Sequence, residues 1–109
     1  MEHSSQLLKG VLDMCLLAVI EEEPSYGYEM VQKLSQKGLA LVSDGSIYPS
    51  LSRLQKRDLA EGYLVASQGG PPRKYYRITD EGKAVLVQYR SSWHEVSAGV
   101  EAVLEGGGA

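Results

Sequence analysis

The sequence predicts a mainly α-helical fold with a small β-hairpin: a winged helix-turn-helix followed by a long C-terminal helix that pairs two copies of the chain. Three observations predict it. Apolar residues recur at helical spacing in three successive segments. Two short β-rich segments broken by glycine and proline follow. The last segment then carries an apolar heptad seam. With 109 residues the chain supports a single modest core.

The first helix is expected from Ser5 to Glu22, with Leu7, Leu8, Val11, Leu12, Cys15, Leu16 and Val19 at helical spacing. From Met14 to Ile20 it is apolar almost all round, so it needs cover on more than one side. Pro24 ends it. That apolar run is far short of the roughly 20 residues needed to cross a bilayer. No basic segment followed by a cleavable apolar one marks a secretory signal. Cys15 is the only cysteine, which excludes an intramolecular disulfide and suits a reducing, cytoplasmic setting. It reads as a small buried hydrophobe.

The second helix is expected to begin at Ser25 as N-cap and to end at Gly38 as C-cap. Met30, Val31 and Leu34 form its inner face, and Gly27 leaves room for a close neighbour. Leu39 to Val42 make a short apolar connection. Ser43 or Asp44 then caps a third helix running to Arg57. At 100° per residue, Ile47, Leu51 and Leu54 point inward. Ser46, Ser50, Arg53 and Arg57 form an adjacent polar stripe, with Pro49 and Lys56 opposite the core.

Two strands are expected at Gly62 to Ser67 and Arg73 to Thr79, joined by the turn Gln68-Gly69-Gly70-Pro71-Pro72. Arg73 and Lys74 stand at the base of this hairpin. A lone hairpin is marginal, so it must lean on the helices. Thr79 reads as the N-cap of the last helix, with Asp80 and Glu81 where the helix dipole favours acid. Residues 1–78 thus form the winged module and 79–105 the dimerisation helix within the same unit. Residues 106–109 are expected to be a flexible glycine-rich tail.

The net charge of −3 is unevenly spread. Residues 1–30 carry −5 and residues 78–109 carry −3. Residues 53–77 carry +4, from Arg53, Lys56, Arg57, Arg73, Lys74 and Arg77 against Asp58 and Glu61. Nucleic-acid binding depends on a local basic face, so this segregation is compatible with it. Enzymatic chemistry has little support: His3 and His94 are the only histidines, Cys15 has no evident base, and phosphate-loop, CxxC and HExxH patterns are absent. Catalytic residues, metal ligands and cofactors are therefore expected to be none.

In a winged helix-turn-helix the second helix of the pair enters the major groove and the wing reaches backbone or minor groove. Here that assigns Ser46, Ser50, Arg53 and Arg57 on the third helix, and Arg73 and Lys74 on the wing, as the DNA-contacting set. In the last helix Leu86, Trp93 and Val100 are seven apart, as are Tyr89, Val96 and Val103. A helix of about 27 residues is roughly 40 Å long, more than so small a domain can cover. The surplus seam asks for a partner, and its own copy is the simplest. A winged-helix module that binds protein and never touches DNA is the alternative.

Several linked motifs carry a family resemblance: Leu7-Leu8-Lys9-Gly10-Val11-Leu12, Tyr26-Gly27-Tyr28-Glu29, Gly45-Ser46-Ile47-Tyr48-Pro49-Ser50-Leu51-Ser52-Arg53-Leu54, and Arg73-Lys74-Tyr75-Tyr76-Arg77-Ile78-Thr79-Asp80-Glu81-Gly82. Through them the chain resembles the PadR family of transcriptional regulators over nearly its full length, in the shorter subfamily with a single C-terminal helix. Position 26, often histidine in the family, is tyrosine here. The resemblance implies a homodimeric regulator, usually a repressor, on a palindromic operator. It adds Tyr26, Tyr48 and Pro49 to the expected DNA contacts. It places Leu8 and Leu12 of the first helix with Leu86, Tyr89, Trp93, Val96, Val100 and Val103 of the last in the dimer interface. Some short members bind flat aromatic compounds beside a tryptophan on the last helix, which makes Trp93 the expected contact for a small aromatic effector.

Overall fold

Met30 and Leu34 on one helix and Ile47, Leu51 and Leu54 on the next are buried against Leu12, Leu16, Leu17 and Ile20 of the first. Around this core the computed structural model, which describes residues 2–106, arranges α1 (Glu2–Glu22), β1 (Ser25–Tyr26), α2 (Gly27–Gln36), α3 (Asp44–Lys56), β2 (Ala60–Ser67), β3 (Gly70–Ile78) and α4 (Asp80–Leu104). The three strands form an antiparallel sheet in the order β1-β3-β2. The fold is mainly helical with a winged hairpin, as the sequence predicts. Residues 107–109 of the expected tail lie outside the described residues.

The second helix starts later than expected. Ser25 is not its N-cap but part of β1, paired with Tyr76, while Tyr26 pairs with Tyr75. A two-residue strand has no periodicity to betray it. Tyr26 is the residue that caps α2, in extended conformation, and the Glu29 carboxylate accepts its backbone N–H at 3.1 Å. The buried Ser25 hydroxyl donates to the Glu23 carbonyl and accepts from Lys33 Nζ at 2.8 Å.

Helices α2 and α3 end alike. Gly38 adopts a φ of 102°, its N–H bonding to Ser35 and that of Leu39 to Leu34. Asp58 adopts a φ of 60°, its N–H bonding to Gln55 and that of Leu59 to Leu54. Both are Schellman closures, in which a left-handed residue lets the chain turn back on the last carbonyls.

The hairpin turn is tighter than expected. Only Gln68 and Gly69 lie between the strands, and Pro71 and Pro72 belong to β3. Proline cannot donate to a ladder, so it sits where β3 has β2 on one side only and the register slips between Val65 and Ser67. The Ser67 hydroxyl donates to the Pro71 carbonyl at 2.6 Å.

Thr79 caps α4 as expected, accepting the Gly82 N–H at 2.9 Å. At 25 residues α4 is about 38 Å long. The molecule accordingly measures 60 × 31 × 21 Å. Only the first turns of α4 are covered by the domain. Leu86 is fully enclosed, Tyr89 is partly buried, and Trp93, Val96, Val100 and Val103 are exposed. The apolar middle of α1 finds its cover within the chain, from α2, α3, β3 and α4. Its hydrophobicity therefore does not by itself require a second copy.

Candidate nucleic-acid interface

The residues expected to touch DNA divide into two groups. Tyr26, Tyr48, Arg73 and Lys74 gather around a concavity of about 470 Å³, together with Gly27, Tyr28, Asp44 and Tyr76. The starts of α2 and α3 and the base of the wing frame it. Arg73 donates to the Tyr26 hydroxyl at 2.6 Å, its guanidinium 4.6 Å from the ring centroid. Tyr26 meets Tyr75 edge-on at 5.3 Å, so the wing base and the cap of α2 are locked together. Lys74 Nζ lies 5.5 Å from the centre of the Tyr76 ring. Burial, then the neighbouring Tyr48, push the Tyr76 phenol above its usual value. A Cβ at Gly27 would stand 2.7 Å from the Tyr48 hydroxyl, so a side chain there would displace the tyrosine. That is the close neighbour the glycine predicts.

Ser46, Pro49, Ser50 and Arg53 line a different hollow, of about 660 Å³, between α3, α1 and Tyr89 of α4. Three polar residues here are engaged within the chain. The Ser46 hydroxyl accepts the Ser43 N–H at 2.9 Å and donates to the Ser43 carbonyl, closing the start of α3. Ser50 is 1% exposed and belongs with the core face, a correction to the expected stripe. Arg53 donates through Nη2 to Asp13 Oδ1 at 2.9 Å, through Nε to Asp13 Oδ2 at 3.3 Å, and to Ser50 Oγ at 2.9 Å. Hydrogen bonding to Asp13, then its charge, raises the Arg53 guanidinium above its ordinary value. Arg57 leans toward the Tyr89 hydroxyl at 3.4 Å.

The face of α3 that looks away from the core is Gly45, Tyr48, Pro49, Ser52 and Lys56, all exposed. Ser52 and Lys56 were missing from the sequence-derived set, as was Tyr28. The helical wheel held the signal for two of them, since Ser52 and Lys56 lie opposite Ile47, Leu51 and Leu54. Tyr28 joins only because β1 brings the start of α2 beside the wing.

A family model described as the transcriptional regulator PadR-like family matches residues 16–88, spanning α2, α3, the wing and the first turns of α4. The chain belongs to the PadR-like family of transcriptional regulators. A PadR-like regulator of known crystal structure from Bacillus cereus is 51% identical, with a TM-score of 0.80 over 93% of this chain and 98% of that one. A PadR family regulator from Eggerthella lenta is 35% identical, with a TM-score of 0.85 over 96% and 91% of the two chains. Transcriptional regulator Rv3488 of Mycobacterium tuberculosis is 37% identical over 75 residues, 66% of this chain and 65% of that protein. PadR-like regulators bind DNA to control transcription and are not a class of enzyme. Among the described residues of this PadR-like chain, no helix is long and apolar enough to cross a membrane.

The dimer assignments also divide. Leu12 and Leu86 are enclosed in the core of the single chain, while Leu8, also largely buried, lines the groove on the other side of α1. That groove, of about 680 Å³, is bordered by Trp93, Val96 and Val100 with Leu7, Val11, Leu39 and Leu41.

Proposed function

We propose that this PadR-like chain is a cytoplasmic, ligand-responsive repressor that acts as a homodimer on a palindromic operator. The observation that carries the dimer is the exposed half of α4. Trp93, Val96, Val100 and Val103 are 46%, 56%, 49% and 76% exposed and recur at heptad spacing along one side. Monomeric soluble proteins rarely leave so continuous an apolar surface uncovered. The α4 helix of a second copy, lying along the groove beside Trp93, buries both seams at once. Dimerisation by 79–105 in turn places two winged modules on one duplex, with half-sites about one helical turn, or a multiple of it, apart.

The DNA-facing surface in this reading is the outward stripe of α3 with Tyr26, Arg73 and Lys74. Arg57 flanks this stripe, to which Ser52 and Lys56 belong, and Arg53 stands at its edge toward α1. Base edges are met by α3, and phosphates by the wing cations. The basic balance of residues 53–77 supports DNA over a protein partner.

Trp93 is the contact for the effector. A flat aromatic guest between the two copies stacks on its indole, each such contact adding about 0.5–1.5 kcal/mol beyond area burial. A guest that spreads the α4 helices alters the spacing of the two recognition helices. DNA and effector then oppose each other by one reciprocal coupling energy, typically about 1–3 kcal/mol. Ligand thereby releases DNA.

Sedimentation of the free protein and a gel shift on the chain's own upstream region test the reading together. A dimer that retards this duplex at concentrations where a mixed-sequence duplex runs free supports it. A monomer, or a dimer that retards neither, contradicts it. Titrating planar aromatic cations and phenolic acids against the emission of Trp93, the only tryptophan, tests the effector. Quenching with a weakened gel shift supports it, and a folded Trp93→Ala dimer with an unchanged response contradicts it.

A further inference from the structure

Arg53 sits at the edge of the recognition helix and faces a carboxylate on another helix. The pairing is a two-point fork, with Nη2 and Nε of Arg53 each on a different oxygen of Asp13. Ser50 of the same helix takes a further hydrogen bond from Nη2, so three contacts hold the guanidinium, two of them to α1. The two partners differ in shelter: the Asp13 side chain is 18% exposed and that of Arg53 is 54% exposed. The carboxylate is thus fixed in the wall of the hollow while the guanidinium stays open to arriving groups. Arg53 Nη1 has no partner among the hydrogen bonds of the described residues.

We propose that Asp13 is a positioning residue that restrains Arg53, so that the guanidinium meets a DNA phosphate through its Nε–Nη2 edge only by giving up this carboxylate. The proposal rests on the DNA-binding surface described above and names a determinant of its selectivity. The two free oxygens of a phosphodiester, like those of a carboxylate, can accept two parallel N–H bonds from a guanidinium, so the exchange needs no rebuilding of the helix. Phosphate contacts carry no sequence information. A free arginine on this flank would therefore strengthen binding to any duplex alike. Restraining it lowers the general affinity. What remains is set more by the outward residues of α3, which raises the ratio of operator to random DNA.

The test uses the full chain and a fluorescent 30-base-pair duplex of mixed sequence, followed by anisotropy across a salt series. Asp13→Asn is expected to bind this duplex about 2- to 30-fold more tightly per dimer, as the release of one exposed ion pair in each protomer allows. The log–log salt slope is expected to steepen by up to about 1.8, or about 0.9 per added phosphate contact. Asp13→Asn in an Arg53→Ala background is expected to gain nothing. A merely structural Asp13 would show weaker binding at an unchanged slope, and that result overturns the proposal. So does a gain that persists without Arg53, since it would come from charge removal alone.

Should Asp13→Asn not fold, the wild-type chain answers by NMR. The Arg53 Nε–H resonance, assigned by its loss in Arg53→Lys, is expected to shift as the mixed duplex is added. An unmoved resonance at saturation overturns the proposal. A wing variant, Arg73→Ala with Lys74→Ala, separates the two levels. If its slope falls while that of Asp13→Asn stays at the wild-type value, only the role of Asp13 fails. If the wild-type chain binds no duplex at all, the DNA-binding surface fails and takes this role with it.

Discussion

Arg73 and Tyr26 lie 47 residues apart, and the guanidinium of the first donates a 2.6 Å hydrogen bond to the hydroxyl of the second while resting over its ring. The contact ties the wing to the start of α2, two of the elements that frame the concavity. Tyr26→Phe keeps the ring and removes the acceptor, and should cost about 0.5–1 kcal/mol in urea unfolding. Tyr26→Ala also removes the edge-on contact with Tyr75 and the cation over the ring, and should cost about 1–2 kcal/mol more. Equal losses for the two variants would mean that the ring contributes nothing.

Gly82, one turn into α4, faces the backbone carbonyl of Leu59, and a Cβ built there would collide with it and with the Ile78 side chain. Gly82→Ala should therefore destabilise the fold by about 1–3 kcal/mol despite the better helix propensity of alanine. Denaturant unfolding measures this directly. A stabilised variant would show that α4 does not dock against Leu59 as described.

Much of this arrangement was legible in the sequence, for identifiable reasons. Ile47, Leu51 and Leu54, the caps Thr79 and Gly38, and the seam from Trp93 to Val103 all announce themselves through periodicity or local chemistry. What escaped depends on contacts between distant segments. Ser25 and Tyr26 form a strand only because Tyr75 and Tyr76 lie beside them. Ser50 is polar by type yet enclosed. Arg53 reads as a DNA contact on the wheel, and only the fold brings Asp13, 40 residues earlier, within reach of it. Leu86 shares the heptad phase of Trp93 but falls where α4 still lies on its own domain. A repeat shows which residues share a face and cannot show where the domain beneath them ends.

The seam can be broken without touching the domain. Val96 is exposed in the single chain, so Val96→Asp should leave the fold intact and place a charge in both copies of the interface. Sedimentation should report a folded monomer. Affinity for the operator should fall by about 10²–10⁴-fold, as expected when two linked modules become independent. A Val96→Asp dimer with normal affinity would place the interface elsewhere.

Cys15 offers a check on the core. Burial pushes its thiol above the ordinary range, so the reactive thiolate is scarce at neutral pH. The native protein should react with a chromogenic disulfide reagent far more slowly than the urea-unfolded chain. Comparable rates would show that α1 is not packed as described.

The salt dependence of DNA binding tests the central claim most directly, because it counts phosphate contacts and attributes them to named side chains. Replacing Arg73 and Lys74 together with alanine removes up to about four phosphate contacts per dimer, and at about 0.9 each the log–log slope should shrink by up to about 3.6. Affinity should fall by a similar factor for any duplex sequence, while Ser52 or Lys56 variants on the outward face of α3 alter the preference between sequences. A wing variant whose slope equals that of the wild type would contradict the assignment of this surface to DNA.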